Sequence, residues 1–521
     1  MPAPHYINAP GLGADVTHGR RRFDRNGEQG EASAARLIAM ASTPHAVMIP
    51  CPAQGHITPM LQLAKLLYAR GFHITFANNE FNHRRLLRSQ GAETLHGVPA
   101  FRFAAYDDGL PPSNPDATQP CVALNHATMT NCLPRFMELV ARLNEEANTS
   151  GGALPPVTCV VADSTMTFAL RGARELGLRC ATFWTASACG LLAYYHFKDL
   201  RDRGIVPLKD EAQLSNGYLE DTSIDWIPAA PKNLRLRDMP SFVRTTDPDD
   251  FMFKFFIHET AGMSQASGVI INTFDELDAP LLDAMSRLLP PIYTVGPLHL
   301  TARNNVPDDS PVAVLGSSLW KEQDAPLRWL DGRAPGSVVY VNFGCQTVIS
   351  NEQLLEFAWG LANTGYAFLW ILRPDLVMGH QAMLPPEFSK ATEGRSMLST
   401  WCPQAKVLEH EAVGVFLTHS GWNSSLESIA GGVPMLCWPF FAEQQTNCRY
   451  KCTEWGIGME IANNLTRAEV EAMIREAMEG EKGRDMRRRV TDLRDSAVAS
   501  AWRHGRSMDN VDRLIKDVLL P

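Results

Sequence analysis

Residues 401–444 read WCPQAKVLEHEAVGVFLTHSGWNSSLESIAGGVPMLCWPFFAEQ. Within this run, 413–417 is a short apolar segment rich in β-formers. It feeds Thr418-His419-Ser420-Gly421 and then a helix-like segment over 423–430. A strand that turns through glycine into a helix leaves unpaired backbone N–H groups and a positive dipole end aimed at one place, which suits a diphosphate. His419, Asn423 and Ser424 add side-chain donors there. Residues 434–439 read as a second buried strand, and Glu443-Gln444 stands just past its end, where open α/β sheets bind ligands. A carboxylate beside an amide can grip several sugar hydroxyls. Taken singly, Trp401 or His419 is more often a core residue than a ligand contact. Their joint spacing is what argues for a nucleotide-sugar site.

Outward from this run, two alternating series appear. The first opens with a strand at 45–50, a helix at 57–70 stopped by Gly71 and a strand at 73–78. It continues with a strand at 157–162, a helix at 166–176 ending at Gly177, and strands at 180–184 and 269–273. The second has a strand at 338–343, a helix capped by Ser350 with Gln353 three residues on, a strand at 368–372 and then the opening run. Thr466 with Glu469 caps a further helix, and 484–519 is a charged helix pair. Alternation of this kind predicts α/β architecture: two doubly wound, Rossmann-like parallel-sheet domains facing a cleft. The expected divisions are a disordered extension over 1–43, an acceptor-side domain over 44–297, a polar Pro-bearing linker over 298–325, a nucleotide-sugar domain over 326–490 and a terminal helix over 491–521.

His56 follows the first strand in Pro50-Cys51-Pro52-Ala53-Gln54-Gly55-His56, a loop whose Pro and Gly residues can aim an imidazole out of the sheet. Its ordinary pKa of about 6.5 suits it to take a hydroxyl proton at neutral pH. Asp163 closes the 157–162 strand and has two readings of equal weight from the sequence alone. It is either a helix cap or the carboxylate that fixes the His56 tautomer, and the two roles are compatible.

The 401–444 run resembles the signature box of plant UDP-dependent glycosyltransferases, and the resemblance extends over about residues 44–519. It implies the GT-B fold, with the last helix crossing back to the first domain. It also implies that Trp401 stacks on uracil, that Gln404 and Glu427 hold the ribose, and that His419, Asn423 and Ser424 contact the phosphates beside Gly421. Trp422, Glu443 and Gln444 would face the sugar, with glucose as the donor sugar suggested by the terminal Gln. The His-then-Asp pattern of the family marks His56 and Asp163 as the catalytic pair. Thr185, next to Trp184, matches a sugar-facing position. Cys345 and Thr347 lie in a loop that resembles the family's phosphate-side loop, which usually carries Ser or Thr where Cys345 stands. The segments 203–219 and 224–250 look closest to the plant subfamily that glucosylates cyanohydrins, terpenoid alcohols and cytokinins.

The implied reaction is an inverting displacement in which an acceptor hydroxyl attacks UDP-glucose and yields a β-O-glucoside. No cofactor and no metal are expected. The one D-x-D, Asp247-Pro248-Asp249, reads as a solvated turn. The acceptor pocket is expected around Met60, Phe103, Trp184, Cys189, Tyr194 and Phe440, an apolar lining suited to a small lipophilic alcohol, phenol or cyanohydrin. Rival readings are a transferase for another UDP-sugar and a nucleotide-sugar-binding protein without turnover. No strand leads into G-x-G-x-x-G, and no G-x-S-x-G elbow occurs.

The 521 residues carry 45% hydrophobic and 20% charged side chains, an ordinary globular composition long enough for more than one domain. A net charge of −9 argues against nucleic acid as a partner. The 11 cysteines follow no zinc or disulfide pattern and point to a reducing compartment. No apolar run is long enough to span a bilayer and no apolar leader stands at the N-terminus, so a soluble, cytoplasmic monomer is expected.

Overall fold

The structure, a computed structural model, describes residues 43–114, 119–345, 347–373, 376–377, 384–462 and 464–520. The expected extension over 1–43 lies almost wholly outside the described residues. Two wholly parallel sheets organise the chain. The first has seven strands: β1 (His45–Ile49), β2 (His73–Asn79), β3 (Phe101–Tyr106), β4 (Cys159–Asp163), β5 (Arg179–Trp184), β6 (Gly268–Ile271) and β7 (Ile292–Thr294), in the order β3-β2-β1-β4-β5-β6-β7. The second has six: β8 (Val338–Asn342), β9 (Ala367–Ile371), β10 (Ser396–Ser399), β11 (Val413–Thr418), β12 (Met435–Cys437) and β13 (Gly458–Glu460), in the order β10-β9-β8-β11-β12-β13.

The central strands are continuous apolar runs because helices cover both faces, leaving no solvent side for an alternating pattern to mark. HAVMI of β1 and VVYVN of β8 are buried throughout. The strand order reverses between β1 and β4 in the first sheet, where Ile49 pairs with Ala162. It reverses again between β8 and β11 in the second, where Asn342 pairs with Thr418. At such points the loops leaving two neighbouring strands diverge to opposite faces and open a crevice at the strands' carboxyl ends. His56, Asp163, Cys345 and His419 all stand where the chain leaves the strands at these two crevices.

Both sequence-read capping boxes form. Ser350 and Gln353 close the N-terminus of the helix Asn351–Asn363, and Thr466 and Glu469 that of Arg467–Glu479. The stretch 298–325 differs from the polar linker expected of it. Leu298–Asn305 is a helix, and Leu298, Val312, Leu315 and Leu319 are buried in the first sheet's core. Apolar side chains scattered among its polar ones anchor it against the helix Gln54–Ala69, so the connection is held by hydrophobic burial. After the helix Glu481–Ala501 the chain returns to the first sheet. There Met508, Val511, Leu514 and Val518 join its core and Asn510 Nδ2 donates to the Thr294 carbonyl at 3.0 Å. No helix among the described residues is long and apolar enough to cross a membrane.

Candidate active site

His56 lies in the first turns of the helix Gln54–Ala69, directly after the β1 loop, and Asp163 is the last residue of β4. Adjacent strands thus deliver both to one crevice. His56 Nδ1 lies 2.8 Å from Asp163 Oδ2 and 2.8 Å from Thr185 Oγ1, and Thr185 donates to Asp163 Oδ2 at 3.3 Å. Two acceptors around Nδ1 assign the hydrogen to that nitrogen, which leaves Nε2 free to accept a proton. The other Asp163 oxygen accepts from the Thr165 backbone N–H at 3.0 Å and from Thr165 Oγ1 at 2.8 Å. Asp163 therefore closes the turn after β4 with one oxygen and holds the imidazole with the other, and Met166 stands at the cap position of the next helix. Burial opposes charge on His56, but the Asp163 carboxylate and its hydrogen bond hold the imidazole above its ordinary range. Burial likewise opposes charge on Asp163, and the His56 charge outweighs it, holding the acid below its ordinary range. Asp163 is 1% exposed and His56 30%, so the acid is sealed while the base still meets the cleft.

Across the cleft, β11 ends at Thr418, and Ser420 turns the chain in the left-handed region at φ 69° to start the helix Trp422–Gly431. The first backbone N–H groups of that helix have no intrahelical acceptor and face the cleft lined by Gly421, Trp422, Asn423 and Ser424. His419 is wedged between two glycines. A Cβ on Gly344 would lie 2.5 Å from His419 Nε2, and one on Gly421 only 2.4 Å from it. Burial, with the charges of Lys451 and Arg373, pushes His419 down to about 3, so it meets a ligand as a neutral imidazole.

Gln404 organises the next stretch of the cleft. Its Oε1 accepts from Asn342 Nδ2 at 2.6 Å, and its Nε2 donates to Ser424 Oγ at 2.8 Å and Glu427 Oε2 at 2.7 Å. Burial pushes Glu427 up to about 7. Trp401 stacks on Trp320 at 4.7 Å, with its indole N–H donating to Ser318 Oγ at 2.9 Å, so its plane is fixed at the cleft's edge. Together Trp401, Gln404, His419, Asn423, Ser424, Glu427 and Cys345 line one continuous polar cavity with Gln54, Thr58 and Ser317. Those last three, and Ser318, were not read from the sequence. Gln54 and Thr58 flank His56 with nothing in the sequence to mark them as lining, and 317–319 reaches the cavity by packing against Gln54.

A second cavity continues from the first and joins Cys345, His419, Trp422, Glu443 and Gln444 to His56 and Thr185. Gln444 Oε1 accepts from the backbone N–H groups of Phe440 and Phe441 at 2.9 and 3.2 Å, which leaves its Nε2 for a ligand. Burial holds Glu443 above its ordinary range. Trp422 lines the cavity with its ring, but its N–H is taken by the Asn272 carbonyl at 2.7 Å. Thr347 is not part of the lining. Arg373 Nη2 donates to its carbonyl at 2.7 Å and holds that segment behind the cleft wall.

Beyond His56 the cleft turns apolar, in a cavity of about 790 Å³ including its open mouth. Trp184 and Tyr194 line it with Leu124, Phe242, Phe256 and Phe441, and with Gln119 and Asn125 as polar points. The other four residues expected here lie elsewhere. Met60 is fully buried in the first sheet's core, and Phe103 packs edge-on against Phe76 at 5.8 Å. Cys189 is buried with its thiol near Ser187 Oγ and Asn447 Oδ1. Phe440 turns away to Trp438, 4.8 Å between rings, while its neighbour Phe441 faces the pocket. Asp247-Pro248-Asp249 is an exposed turn in which Asp249 pairs with Lys254.

The chain is similar throughout to known proteins. A family model described as UDP-glucoronosyl and UDP-glucosyl transferase matches residues 321–494. A 7-deoxyloganetin glucosyltransferase of Gardenia jasminoides is 53% identical over 483 residues, 92% of this chain and 99% of that protein. An (R)-mandelonitrile beta-glucosyltransferase of Prunus dulcis is 50% identical over 483 residues, 93% of this chain and 99% of that one. Among solved structures, Os79 of O. sativa in complex with UDP superposes with a TM-score of 0.73 at 27% identity, covering 90% of this chain and 99% of that one. A UDP-glucose: anthocyanidin 3-O-glucosyltransferase in complex with UDP gives 0.75 at 25% identity, over 91% and 98%. With two doubly wound sheets facing one cleft and identity above one half along nearly its whole length, this chain belongs to the UDP-glucuronosyl and UDP-glucosyl transferase family and has its GT-B fold.

Proposed function

We propose that the protein transfers glucose from UDP-glucose to a hydroxyl of a small lipophilic acceptor and inverts the anomeric centre. One observation carries the reading: a carboxylate-held imidazole at the first sheet's crevice faces a helix N-terminus at the second sheet's crevice, through a continuous cleft. UDP lies along the second crevice, with uracil on Trp401, ribose at Gln404 and Glu427, and diphosphate at the start of the helix Trp422–Gly431 with His419, Asn423 and Ser424. Glucose then reaches the space between Gln444, Glu443, Trp422 and Thr185.

The acceptor enters the apolar cavity, and His56 Nε2 takes the proton of its hydroxyl. The oxygen bonds to the anomeric carbon as the bond to UDP breaks on the opposite face, giving a β-glucoside. Asp163 steadies the imidazolium as the proton arrives. The helix dipole and the neutral donors absorb the charge that develops on the leaving diphosphate. Terpenoid alcohols and cyanohydrins, the acceptor classes named for the two relatives above, fit a cavity with aromatic walls and few polar points. None of the 11 cysteines is in a disulfide, which supports action in a reducing compartment such as the cytoplasm.

The test is mass-spectrometric product detection with purified protein, UDP-glucose and a panel of terpenoid alcohols, phenols, cyanohydrins and cytokinins, with EDTA present. A hexose adduct that disappears in His56→Ala establishes transfer. Undiminished transfer by His56→Ala would refute the assigned base, and binding of UDP-glucose with no product from any acceptor would favour a nucleotide-sugar-binding role.

A further inference from the structure

Behind the donor cleft, three thiols converge from two elements. Cys437 ends β12, and Cys448 and Cys452 stand one turn apart on the helix Gln444–Thr453. Their sulfurs all lie within 4.8 Å of one another, and those of Cys448 and Cys452 are 3.9 Å apart. This is the only group of three or more such ligand residues among the described ones. Thiolates bound to one zinc at about 2.3 Å in tetrahedral or trigonal geometry sit roughly 3.8–4.0 Å apart. The cluster is therefore already near the spacing a single cation demands.

The surroundings favour thiolate. Lys451 is fully buried among the three cysteines' neighbours, with its ammonium donating to Ser425 Oγ at 3.1 Å. A divalent cation with three thiolates carries one net negative charge, which Lys451 balances. Ser420 Oγ is buried beside Cys437 and has no other hydrogen-bond partner. Cys437 and Cys448 are buried while Cys452 is partly exposed, giving an approach from that side. Disulfide formation between Cys448 and Cys452 is disfavoured, because side chains at i and i+4 of a helix hold their Cβ atoms about 5–6 Å apart, beyond disulfide reach.

We propose that Cys437, Cys448 and Cys452 form a trithiolate site for one soft divalent cation of the zinc and cadmium class, separate from the cleft that carries the transfer chemistry. Each ligating thiol still protonated releases its proton to solvent on binding, and no electron is exchanged. Soft sulfur donors select such cations over magnesium or calcium. The occupied site ties β12 to the helix that begins at Gln444.

The experiment uses the full chain, reduced and freed of metal, titrated with Cd²⁺ and followed by thiolate-to-cadmium charge-transfer absorbance, with bound cadmium counted after gel filtration. The expected result is saturation at one cation per chain. Cys452→Ser, the substitution least disruptive to folding because the residue is partly exposed, should weaken binding by more than about 100-fold, beyond the loss of an outer-shell partner. Cys121→Ser, which removes the exposed thiol of another domain, should bind as the unaltered chain does. Absence of saturation at one equivalent, equal binding by Cys452→Ser, or loss of binding in Cys121→Ser would each overturn the proposal. Binding is read without turnover, so the outcome is independent of the glucosyl-transfer reading.

Discussion

Asn423 Nδ2 donates to the Gly55 carbonyl at 2.7 Å, and so ties the phosphate-side helix of one sheet to the residue just before His56 on the other. The carbonyl is available for a reason written in the sequence. Within the helix Gln54–Ala69 the residue four positions on from Gly55 is Pro59, which has no N–H to return. A partly buried carbonyl without its helical partner is best satisfied elsewhere, and Asn423 supplies the donor across the cleft.

This pairing predicts a coupling. Asn423→Ala should destabilise the ligand-free protein by about 0.5–1.5 kcal/mol, the net contribution of one hydrogen bond to a partly buried acceptor. In a Pro59→Ala background Gly55 regains an intrahelical partner, and the same substitution should cost about 1 kcal/mol less. Denaturant unfolding of the four proteins checks this; an equal cost in both backgrounds would show that Pro59 does not create the need.

The next prediction concerns pH. As the proposed base His56 would work only when unprotonated, and Asp163 raises its pKa, so the acid limb of kcat/KM should fall above the ordinary imidazole value of 6.5. Asp163→Asn removes the raising charge and leaves the desolvation that lowers the pKa, so the limb should move to more acidic pH. The rate should drop by about 10²- to 10⁴-fold as the tautomer and the imidazolium lose their support. A pH–rate profile of the variant decides it; a limb that stays in place would mean that another group sets it.

Parts of this site were legible because local chemistry and position coincide. The strand after 413 and the helix that follows it come from an apolar run and a helical pattern in sequence, but the left-handed turn falls on Ser420 and not on the Gly421 through which the chain was expected to turn. His56 and Asp163 follow from their places just after strands, since strand ends at a reversal of order meet in space. Most walls of the proposed acceptor cavity were not legible, for the opposite reason. Met60 shares the apolar face of its helix with Ile57 and Ala64, and that face is turned to the sheet. The choice between Phe440 and Phe441 depends on which way one irregular loop turns, and no periodicity marks it. Gln119, Asn125, Phe242 and Phe256 come from separate segments that meet only through tertiary packing. The apolar anchors of 298–325 were hidden in the same way by their polar neighbours.

Gly421→Ala tests the donor cradle without straining the backbone, because Gly421 has an ordinary φ of −63°. The new Cβ would fall 2.4 Å from His419 Nε2 and must push the ring aside. The KM for UDP-glucose should rise by about tenfold or more, equivalent to roughly 1.4 kcal/mol of lost binding, while unfolding stability changes little by comparison. Gly344→Ala adds a left-handed φ of 72° to the same clash and should be worse on both counts. Unchanged donor KM in Gly421→Ala would remove His419 from the donor contacts.

The acceptor cavity yields a selectivity prediction. Tyr194 and Phe256 stack at 4.0 Å with an interplanar angle of 15°, and Phe242 stacks on Phe256 at 5.1 Å, so Phe256 is the middle plate of three. Both its faces are covered by these neighbours, so it offers an acceptor its ring edge, and Leu keeps an apolar side chain but removes that edge-to-face contact. An aromatic contact of this kind contributes about 0.5–1.5 kcal/mol beyond burial, so kcat/KM for phenolic acceptors should fall by roughly 2- to 12-fold. Aliphatic terpenoid alcohols need shape and burial but no ring edge, and should lose less. The comparison is internal to one variant, so a general loss of folded protein would lower both activities alike and leave their ratio unchanged. An unaltered ratio in correctly folded Phe256→Leu would mean that acceptors do not reach this end of the cavity and that selectivity is set nearer to His56, by Phe441 and Trp184.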